Sequence, residues 1–261
     1  MILSLLSKKG GVGKTTTAVS LAASFAHRGH SVLLIDLDSQ ASASLSVGLA
    51  REDFNPSSAD VLLGRVPARE ARRPTAIPRL QLIPASSDLL GVDLELGGFR
   101  NKERRLAERL ESLRDEHELI VIDCPPSLSL LPINALVAAD RFLLPIVPQF
   151  LAAEGLDNLL SAAHRITSRV GSRTELLGML LTMVDYRLRS VRETVTQLRE
   201  SYGSKVLAIE IRINTRLAEA PAAGRTIFDF DPGSAGARAY DLLTDEIGPL
   251  LGLVRPAGDA S

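Results

Sequence analysis

The sequence predicts an α/β fold: a doubly wound, mostly parallel sheet with helices on both faces, in three layers. Short, almost uninterrupted apolar segments recur along the chain, as in strands that are buried on both faces of a sheet. Most of the segments between them have apolar residues at helical spacing. A glycine-rich loop joins the first apolar segment to the first helical one, so we expect a binding site at the carboxyl edge of the sheet.

The predicted elements alternate along the chain. The first strand, ILSLLS, precedes the glycine-rich loop, and the helix after the loop ends near Gly29, a residue type common at helix C-termini. Two later strands, SVLLID and ELIVID, each end in an aspartate. We predict strands at residues 2–7, 31–36, 80–84, 118–123, 141–147, 176–183 and 206–211, and helices at residues 15–27, 102–113, 155–169, 191–202 and 235–250.

Composition restricts the class of protein. With 261 residues, 45% of them apolar, the chain can bury a large core, and no linker-like segment is long enough to divide it. We therefore predict a single domain at residues 1–253 and a flexible tail at residues 254–261. One cysteine excludes a disulfide framework, and an aromatic share of 4% without tryptophan argues against a base-stacking RNA reader. Without a signal-like or membrane-spanning segment, we expect a cytoplasmic protein.

The loop KGGVGKTT has the composition of a phosphate-binding loop. Glycines let backbone N–H groups wrap around phosphate oxygens, and the start of the following helix adds positive potential. Lys14 is expected to contact the β- and γ-phosphates, and Thr15 to bind Mg²⁺ through its hydroxyl. An ordinary strand–helix turn is the alternative, but three of the five lysines of the chain, Lys8, Lys9 and Lys14, lie in this loop or directly before it. The predicted nucleotide-binding residues of the loop are Lys9, Gly10, Gly11, Val12, Gly13, Lys14, Thr15 and Thr16.

Lys9 and two aspartates add to this loop. A generic phosphate-binding loop has glycine where this chain has Lys9, so we predict that Lys9 reaches a nucleotide in a second subunit. The alternative is a solvated surface lysine. Asp36 and Asp123 end two predicted strands, where carboxylate oxygens suit Mg²⁺. Asp123 is expected to hold the metal through water, and a strand-end turn or helix cap is the other interpretation of either aspartate.

These motifs resemble those of the ParA/MinD family of ATPases, in which the phosphate loop has a lysine at the position of Lys9. Similar segments follow at residues 32–44 (VLLIDLDSQASAS), 118–129 (ELIVIDCPPSLS) and 133–160 (INALVAADRFLLPIVPQFLAAEGLDNLL). GMLLTMVDYR at 178–187, INTRLAEAP at 213–221 and FDPGSAGARAY at 230–240 extend the similarity over most of the chain. The sequence looks most like short Soj-type ParA proteins, which lack an N-terminal helix-turn-helix domain. The resemblance implies a P-loop NTPase fold with ATP or ADP and Mg²⁺ as cofactors.

The resemblance also implies how the loop and the aspartates act. The family aspartate at the position of Asp36 orients the attacking water, and we expect Asp36 to share the metal site with Thr15 and Asp123. Lys9, Lys14 and Asp36 are the predicted catalytic residues. The loop after Asp36 departs from the family, because Asp-Ser-Gln-Ala stands where Asp-Pro-Gln-Gly is usual. This change removes the rigidity of proline and the freedom of glycine.

The base site is predicted from the resemblance alone. In the family, the adenine is held by segments after the sixth and seventh strands, which here contain Asp185, Arg212 and Ile213. Asp185 could accept a hydrogen bond from the exocyclic amine of the base. Ile-Pro-Arg-Asn is the usual sequence after the seventh strand, whereas Arg212 replaces the proline in this chain.

Basic residues are concentrated in one segment. Residues 165–225 contain 11 basic and 6 acidic side chains, although the whole chain has a net charge of −1. Such a distribution is typical of proteins that bind a phosphate backbone. Arg187 and Arg216 match positions of non-specific DNA binding in Soj-type proteins, and Arg189, close by, is the third predicted DNA contact. Solvated helix faces, with Glu193 and Glu200 as ion partners, are the alternative.

Together the motifs and the resemblance predict a ParA-type ATPase. ATP is expected to draw two subunits into a homodimer that binds double-stranded DNA without sequence preference, with a ParB-like partner that stimulates hydrolysis. The expected task is partition of a chromosome or plasmid, at the nucleoid in the cytoplasm. Positioning of a protein assembly or microcompartment is the alternative, and a metabolic P-loop enzyme is a further one. Membrane binding is not expected, because the chain ends in LLGLVRPAGDAS and not in a basic amphipathic helix.

Overall fold

The computed structural model describes residues 1–127, 129–149 and 152–253, so the predicted tail at residues 254–261 lies outside the described residues. Eight strands in the described ranges form one sheet. They are β1 Ile2–Leu5, β2 Val32–Asp36, β3 Arg73–Pro74, β4 Leu80–Ile83, β5 Leu119–Asp123, β6 Arg141–Ile146, β7 Glu175–Val184 and β8 Ile211–Arg212. Their order across the sheet is β3-β4-β2-β5-β1-β6-β7-β8.

The strands of this sheet are parallel except for the short edge strand β3, which runs antiparallel to β4. The central strands β1, β2 and β5 are buried along their whole length. Apart from Ser4 and the terminal Asp36 and Asp123, their side chains are apolar on both faces because helices cover the sheet from both sides. The predicted fold class is confirmed by this arrangement.

Helices form the two outer layers. They are α1 Lys14–His27, α2 Ser42–Ser46, α3 Ser58–Leu63, α4 Leu89–Leu96, α5 Arg105–Leu110, α6 Leu130–Ala138, α7 Ala152–Val170, α8 Arg189–Tyr202, α9 Thr215–Glu219, α10 Ile227–Phe230 and α11 Ala235–Ile247. One core contains residues of α1 and α11, and the other contains residues of α4 to α8. α1 is buried over most of its surface because it packs against both the sheet and α11. Among the described residues, no helix is long and apolar enough to cross a membrane.

The strand predicted at residues 206–211 is wrong over most of its length. Val206 makes a single bridge to Met179 of β7, and the sheet resumes only at β8. Between these points the N–H groups of Ala208 and Ile209 donate to the carboxylate of Glu246 in α11, at 2.6 and 2.9 Å. A carboxylate from a distant helix therefore replaces the strand ladder, and apolar periodicity does not reveal such a partner.

The accuracy of the helix predictions depends on helix length. The long helices α1, α7, α8 and α11 lie where apolar spacing predicts them. The segment predicted as one helix at 102–113 forms α5 followed by a 3₁₀ turn at Glu111–Leu113. The shorter helices α2, α3, α4, α6, α9 and α10 were not predicted, because few turns give little sign of a 3.6-residue period.

Replacing Glu246 by alanine should lower the free energy of unfolding by about 1 kcal/mol, because two N–H groups lose a charged acceptor that water only partly replaces. Urea unfolding followed by circular dichroism measures the change. Glu200→Ala is the matched control, since Glu200 is an exposed helical glutamate outside this contact. Equal stability of the Glu246→Ala and wild-type proteins would contradict our account of residues 206–211.

Candidate functional site

The carboxyl ends of three adjacent strands meet at one edge of the sheet. β5 lies between β2 and β1, and Asp36 is the register partner of Asp123. Leu5, the last residue of β1, is also paired with Asp123, so the loop after β1 begins beside the two carboxylates. The structure thus brings together the glycine-rich loop and two aspartates that are far apart in sequence.

The glycine-rich loop, residues 9–16, has the open backbone that an anion site requires. Gly11 and Gly13 have φ angles of 70° and 77°, in the left-handed region where a side chain would add strain. Gly13 is the N-cap of α1, and no side chain caps the first turn. The N–H groups at the start of α1 are therefore available to an anion, and the first turn contains no acidic residue that would repel one.

Lys14 and Asp123 form a buried pair at the end of this loop. Lys14 Nζ lies 3.9 Å from Asp123 Oδ1, and the two side chains are 7% and 0% exposed. Neither carboxylate oxygen of Asp123 has a hydrogen-bond partner among the described residues. Burial raises the pKa of Asp123 to about 6, although the Lys14 ammonium and the nearby Thr15 hydroxyl lower it. A bound cation would satisfy this unused acceptor capacity.

Asp36 is buried as well, but its oxygens are engaged. Oδ2 accepts hydrogen bonds from the N–H and the hydroxyl of Ser44, at 2.9 and 2.8 Å. Oδ1 accepts a hydrogen bond from the N–H of Asp38 at 3.1 Å. Burial and, after it, the charge of Asp123 raise the pKa of Asp36 to about 7. The hydrogen bonds hold the carboxylate in one orientation, while its burial makes the negative charge costly without a cation.

These residues fit a hard divalent cation. Mg²⁺ binds carboxylate, hydroxyl and water oxygens, and it commonly keeps several waters when it also binds phosphates. Asp123 offers unpartnered oxygens, and Thr15 follows Lys14 in the first turn of α1. In the described part of the chain, no group of three or more histidine, cysteine, aspartate or glutamate side chains is arranged to hold a metal. A cation here would therefore also need phosphate or water oxygens.

The ammonium of Lys9 lies apart from the buried charges. Lys9 is exposed, and its Nζ donates to the side-chain oxygen of Gln149. An apolar hollow of about 480 Å³ adjoins this side of the loop, with Lys9, Val12 and Leu156 in its lining. The buried aspartates are not part of that lining. The ammonium is thus accessible at the surface and is not inserted into the charge cluster of its own chain.

Asp185, predicted to accept from the base, is engaged by Arg187. The guanidinium donates to both carboxylate oxygens, at 2.8 and 2.7 Å, and the Arg187 N–H adds a third bond at 3.1 Å. These bonds lower the pKa of Asp185. The other predicted base residues are nearby in the chain: Arg212 lies over the Tyr186 ring, 5.4 Å from its centre, and Ile213 is 58% exposed. Oδ2 of Asp185 accepts only one of these bonds, so a base amine could share the carboxylate with Arg187 or replace it.

The two other predicted DNA contacts, Arg189 and Arg216, are exposed and paired with carboxylates. Arg189 lies 2.7 Å from Glu193, and Arg216 lies 2.8 Å from Glu219 and 3.3 Å from Asp231. The alternative interpretation, solvated faces with acidic partners, therefore describes the contacts within the chain for Glu193, whereas the partners of Arg216 are Glu219 and Asp231 and not the expected Glu200. Exposed pairs of this kind contribute only about 0–1 kcal/mol, so a phosphate group could replace the carboxylates at small cost.

Two residues that support the site were missed by the sequence analysis. Ser44 orients Asp36, as described above, and Thr182 of β7 donates its hydroxyl to the carbonyl of Val12 in the glycine-rich loop, at 2.9 Å. Ser44 lies within a segment that resembles the family, but nothing in its spacing marks a role. Thr182 is distant from the loop in sequence. Each becomes recognisable only through its partner in three dimensions.

The chain is similar to proteins that are named for chromosome partitioning. Residues 1–176 match a family model described as an AAA domain. The chromosome partitioning protein ParA of Caulobacter vibrioides is 38% identical, over 94% of this chain and 93% of its own length. The chromosome-partitioning ATPase Soj of Thermus thermophilus is 40% identical, over 94% of each chain. The sporulation initiation inhibitor protein Soj of Bacillus subtilis is 36% identical, over 94% and 97%.

Solved structures share the fold. A protein described as cobyrinic acid a,c-diamide synthase from Mycobacterium smegmatis, with bound ADP and magnesium, superposes with a TM-score of 0.81 at 31% identity. The match covers 94% of this chain and 92% of that chain. The cell division ATPase MinD of Pyrococcus furiosus gives a TM-score of 0.77 at 27% identity, over 95% and 98%. The α/β fold holds ADP and magnesium in the first of these structures.

The raised pKa of Asp36 predicts that the metal-free protein loses stability as the pH rises. An aspartate of the unfolded chain has a pKa of about 3.9, whereas the folded value is about 7. Between these values the folded state binds more protons, so the free energy of unfolding falls with increasing pH. Asp36→Asn should therefore gain stability relative to wild type as the pH rises from about 4 to about 7, because asparagine does not titrate in this range.

Thermal unfolding without nucleotide or divalent cation measures this gain. Asp53→Asn, at an exposed aspartate outside the site, is the control and should show no such trend. A difference between Asp36→Asn and wild type that does not change with pH would refute the prediction.

Proposed function

The chain belongs to the ParA/MinD family of P-loop ATPases, and we propose that it is a ParA-type ATPase that partitions a chromosome or a plasmid. Relatives named ParA and Soj, 36–40% identical over 94% of the chain, support this class. The observation that carries the ATPase part of the proposal is the buried Lys14–Asp123 pair at the end of the glycine-rich loop. It combines a cation for phosphate with a carboxylate that has unused acceptor capacity.

The nucleotide would bind through its phosphates. The loop N–H groups would surround them, and Lys14 would contact the β- and γ-phosphates. Thr15 and Asp123 would hold Mg²⁺, with Asp36 contributing from the register position beside Asp123. Magnesium, when bound, neutralises charge on the phosphates. The structure with bound ADP and magnesium supports a nucleotide and Mg²⁺ as the molecules that this fold binds.

Hydrolysis of ATP to ADP and phosphate needs a water in line with the γ-phosphate. We assign the orientation of this water to Asp36, because hydrogen bonds from Ser44 and Asp38 hold its carboxylate in place. The charge on the transferring phosphoryl group would be stabilised by Lys14 of the same chain and by Lys9 of a second subunit.

The active unit would be a face-to-face homodimer that forms with ATP. The exposed ammonium of Lys9 supports this, since it lies outside its own charge cluster and is tethered by an exposed hydrogen bond to Gln149. The dimer would bind double-stranded DNA without sequence preference through Arg187, Arg189 and Arg216. A ParB-like partner would stimulate hydrolysis and release the DNA, so that the cycle operates at the nucleoid in the cytoplasm.

A metabolic P-loop enzyme is the second candidate, because the solved structure at 31% identity is described as cobyrinic acid a,c-diamide synthase. The relatives named for partitioning are more similar in sequence, at 36–40% identity. ATP turnover that requires cobyrinic acid and an amide donor, and that DNA leaves unchanged, would favour the metabolic enzyme. A ParA-like protein that positions a protein assembly would share the ATPase chemistry, and a binding partner other than a ParB-like protein would identify it.

Lys14→Ala should weaken ATP binding by at least about 100-fold, since the variant loses the cation nearest the phosphates and leaves Asp123 unpaired. Titrations with fluorescent ATP and ADP analogues measure the affinities. Lys9→Ala is the matched control from the same loop, and it should retain ADP binding because Lys9 acts on the partner's nucleotide. Tight ATP binding by Lys14→Ala would contradict the assignment of the glycine-rich loop to phosphate binding.

DNA binding should depend on ATP and persist when hydrolysis is blocked. A mobility shift on non-specific duplex DNA should show binding with ATP, and little with ADP or without nucleotide. Asp36→Ala should still bind ATP but turn it over at least about 10-fold more slowly, so its complex with DNA should be stronger. Sedimentation should detect the dimer under the same conditions. Normal ATP turnover by Asp36→Ala would show that Asp36 has no part in the mechanism. A lack of DNA binding under every condition would show that DNA is not the partner.

Arg187→Ala and Arg216→Ala should each weaken DNA binding. The slope of log affinity against log salt concentration should become shallower by about one for each lost phosphate contact. Arg51→Ala is the control, an exposed arginine whose guanidinium lies near Phe54. ATP turnover without DNA should stay unchanged in Arg216→Ala and Arg51→Ala, whereas Arg187→Ala also removes the partner of the predicted base ligand Asp185. DNA affinity that does not fall with rising salt would argue against an arginine-based backbone contact.

A further inference from the structure

Two consecutive carbonyls of the glycine-rich loop are held by buried hydroxyl groups. Thr182 of β7 donates to Val12 O at 2.9 Å, and Thr17 of α1 donates to Gly13 O at 2.7 Å. The two threonines are 1% and 0% exposed. Neither hydrogen bond can be exchanged readily for one to water, so each helps to hold its peptide group in a defined orientation. Gly13 O also accepts a backbone hydrogen bond from the N–H of Thr17 at 2.9 Å, and the Thr17 hydroxyl adds to this contact.

Tyr240 of α11 extends the second of these contacts. Its hydroxyl lies 3.0 Å from Thr17 Oγ1, and the side chain is 1% exposed. Thr17 has a single hydroxyl proton and gives it to Gly13 O, so Tyr240 must be the donor to Thr17. Burial raises the pKa of Tyr240, which keeps this proton in place. A relay of hydrogen bonds therefore runs from the C-terminal helix to the loop.

Because of the geometry of the peptide bond, these contacts also orient N–H groups that point in the opposite direction. In a trans peptide, the C=O of one residue and the N–H of the next point in opposite directions within one plane. Holding Val12 O therefore orients the N–H of Gly13, and holding Gly13 O orients the N–H of Lys14. Gly13 is the N-cap and Lys14 the first residue of α1, so these two N–H groups belong to the donors available to an anion.

We propose that Thr182, Thr17 and Tyr240 are positioning residues that set the N–H groups of Gly13 and Lys14 in the orientation that binds phosphate. This inference rests on the proposed nucleotide binding and assigns part of the affinity to α11, which lies more than two hundred residues away in sequence. Preorganised donors bind an anion more tightly because the loop loses less conformational freedom on binding.

The test compares side chains that differ by a hydroxyl group. Tyr240→Phe and Thr182→Val keep the shape of the side chain and remove the donor, so each should weaken ADP binding about 3- to 10-fold. Thr182→Ser keeps the donor and should bind within about 2-fold of wild type. Tyr202→Phe is the control, because that tyrosine bonds to Asp157 and not to the loop. Isothermal titration calorimetry with magnesium present gives the affinities, and unfolding of the free proteins is measured alongside.

A purely structural role predicts a different result. If Tyr240→Phe and Thr182→Val unfold more easily but bind ADP as wild type does, the inference is wrong. Equal loss of affinity in Thr182→Ser and Thr182→Val would also overturn it, since the hydroxyl would then be irrelevant. If wild type itself binds no nucleotide, the proposed function fails. In that case ¹⁵N relaxation of the Gly13 and Lys14 amides tests whether Tyr240 restrains them. Their order parameters should fall in Tyr240→Phe and stay unchanged in Tyr202→Phe.

Discussion

The register of three adjacent parallel strands is the constraint on which the candidate site depends. β1, β5 and β2 end side by side, with Asp36 opposite Asp123 and with the glycine-rich loop beginning beside them. Side chains alternate between the faces of a strand, so a slip of one residue would turn one aspartate away from the other. Apolar side chains of these strands fill the cores on both faces of the sheet. The packing that stabilises the fold therefore also positions the charged groups.

The same packing also buries the two aspartates of the site and thereby raises the pKa of each. Asp36 and Asp123 are fully buried, and burial is the main reason that the pKa of each is raised. Apolar residues would stabilise this edge better than buried charges do, and perturbed carboxylates are typical of functional positions. The two aspartates differ in their partners. Asp36 accepts three hydrogen bonds, which suits a group that orients a ligand, whereas Asp123 has unused oxygens, which suits a group that binds a cation.

The predicted surface contacts are exposed ion pairs, unlike the buried charges of the site. Arg187, Arg189 and Arg216 are matched by carboxylates within the chain, and one of those carboxylates is the predicted base ligand Asp185. Such exposed pairs are weak, so they hold the arginine side chains in place without preventing the exchange of a carboxylate partner for a phosphate group. The segment that follows β7 thus joins the predicted base site to the predicted DNA contacts. The sequence indicates these residues one by one, but only the structure shows that two of them form a single ion pair.

By itself the sequence determined the α/β class, the central strands, the long helices and the glycine-rich loop, because apolar periodicity and glycine placement are local signals. It also placed Lys14, Asp36 and Asp123 at strand or loop ends, from which their meeting at one edge follows. The support from Ser44, Thr182 and Tyr240, and the replacement of a strand by carboxylate bonds at residues 206–211, were decided by the tertiary structure. These contacts join residues through single hydrogen bonds between distant elements, and a hydrogen bond leaves no period in the sequence.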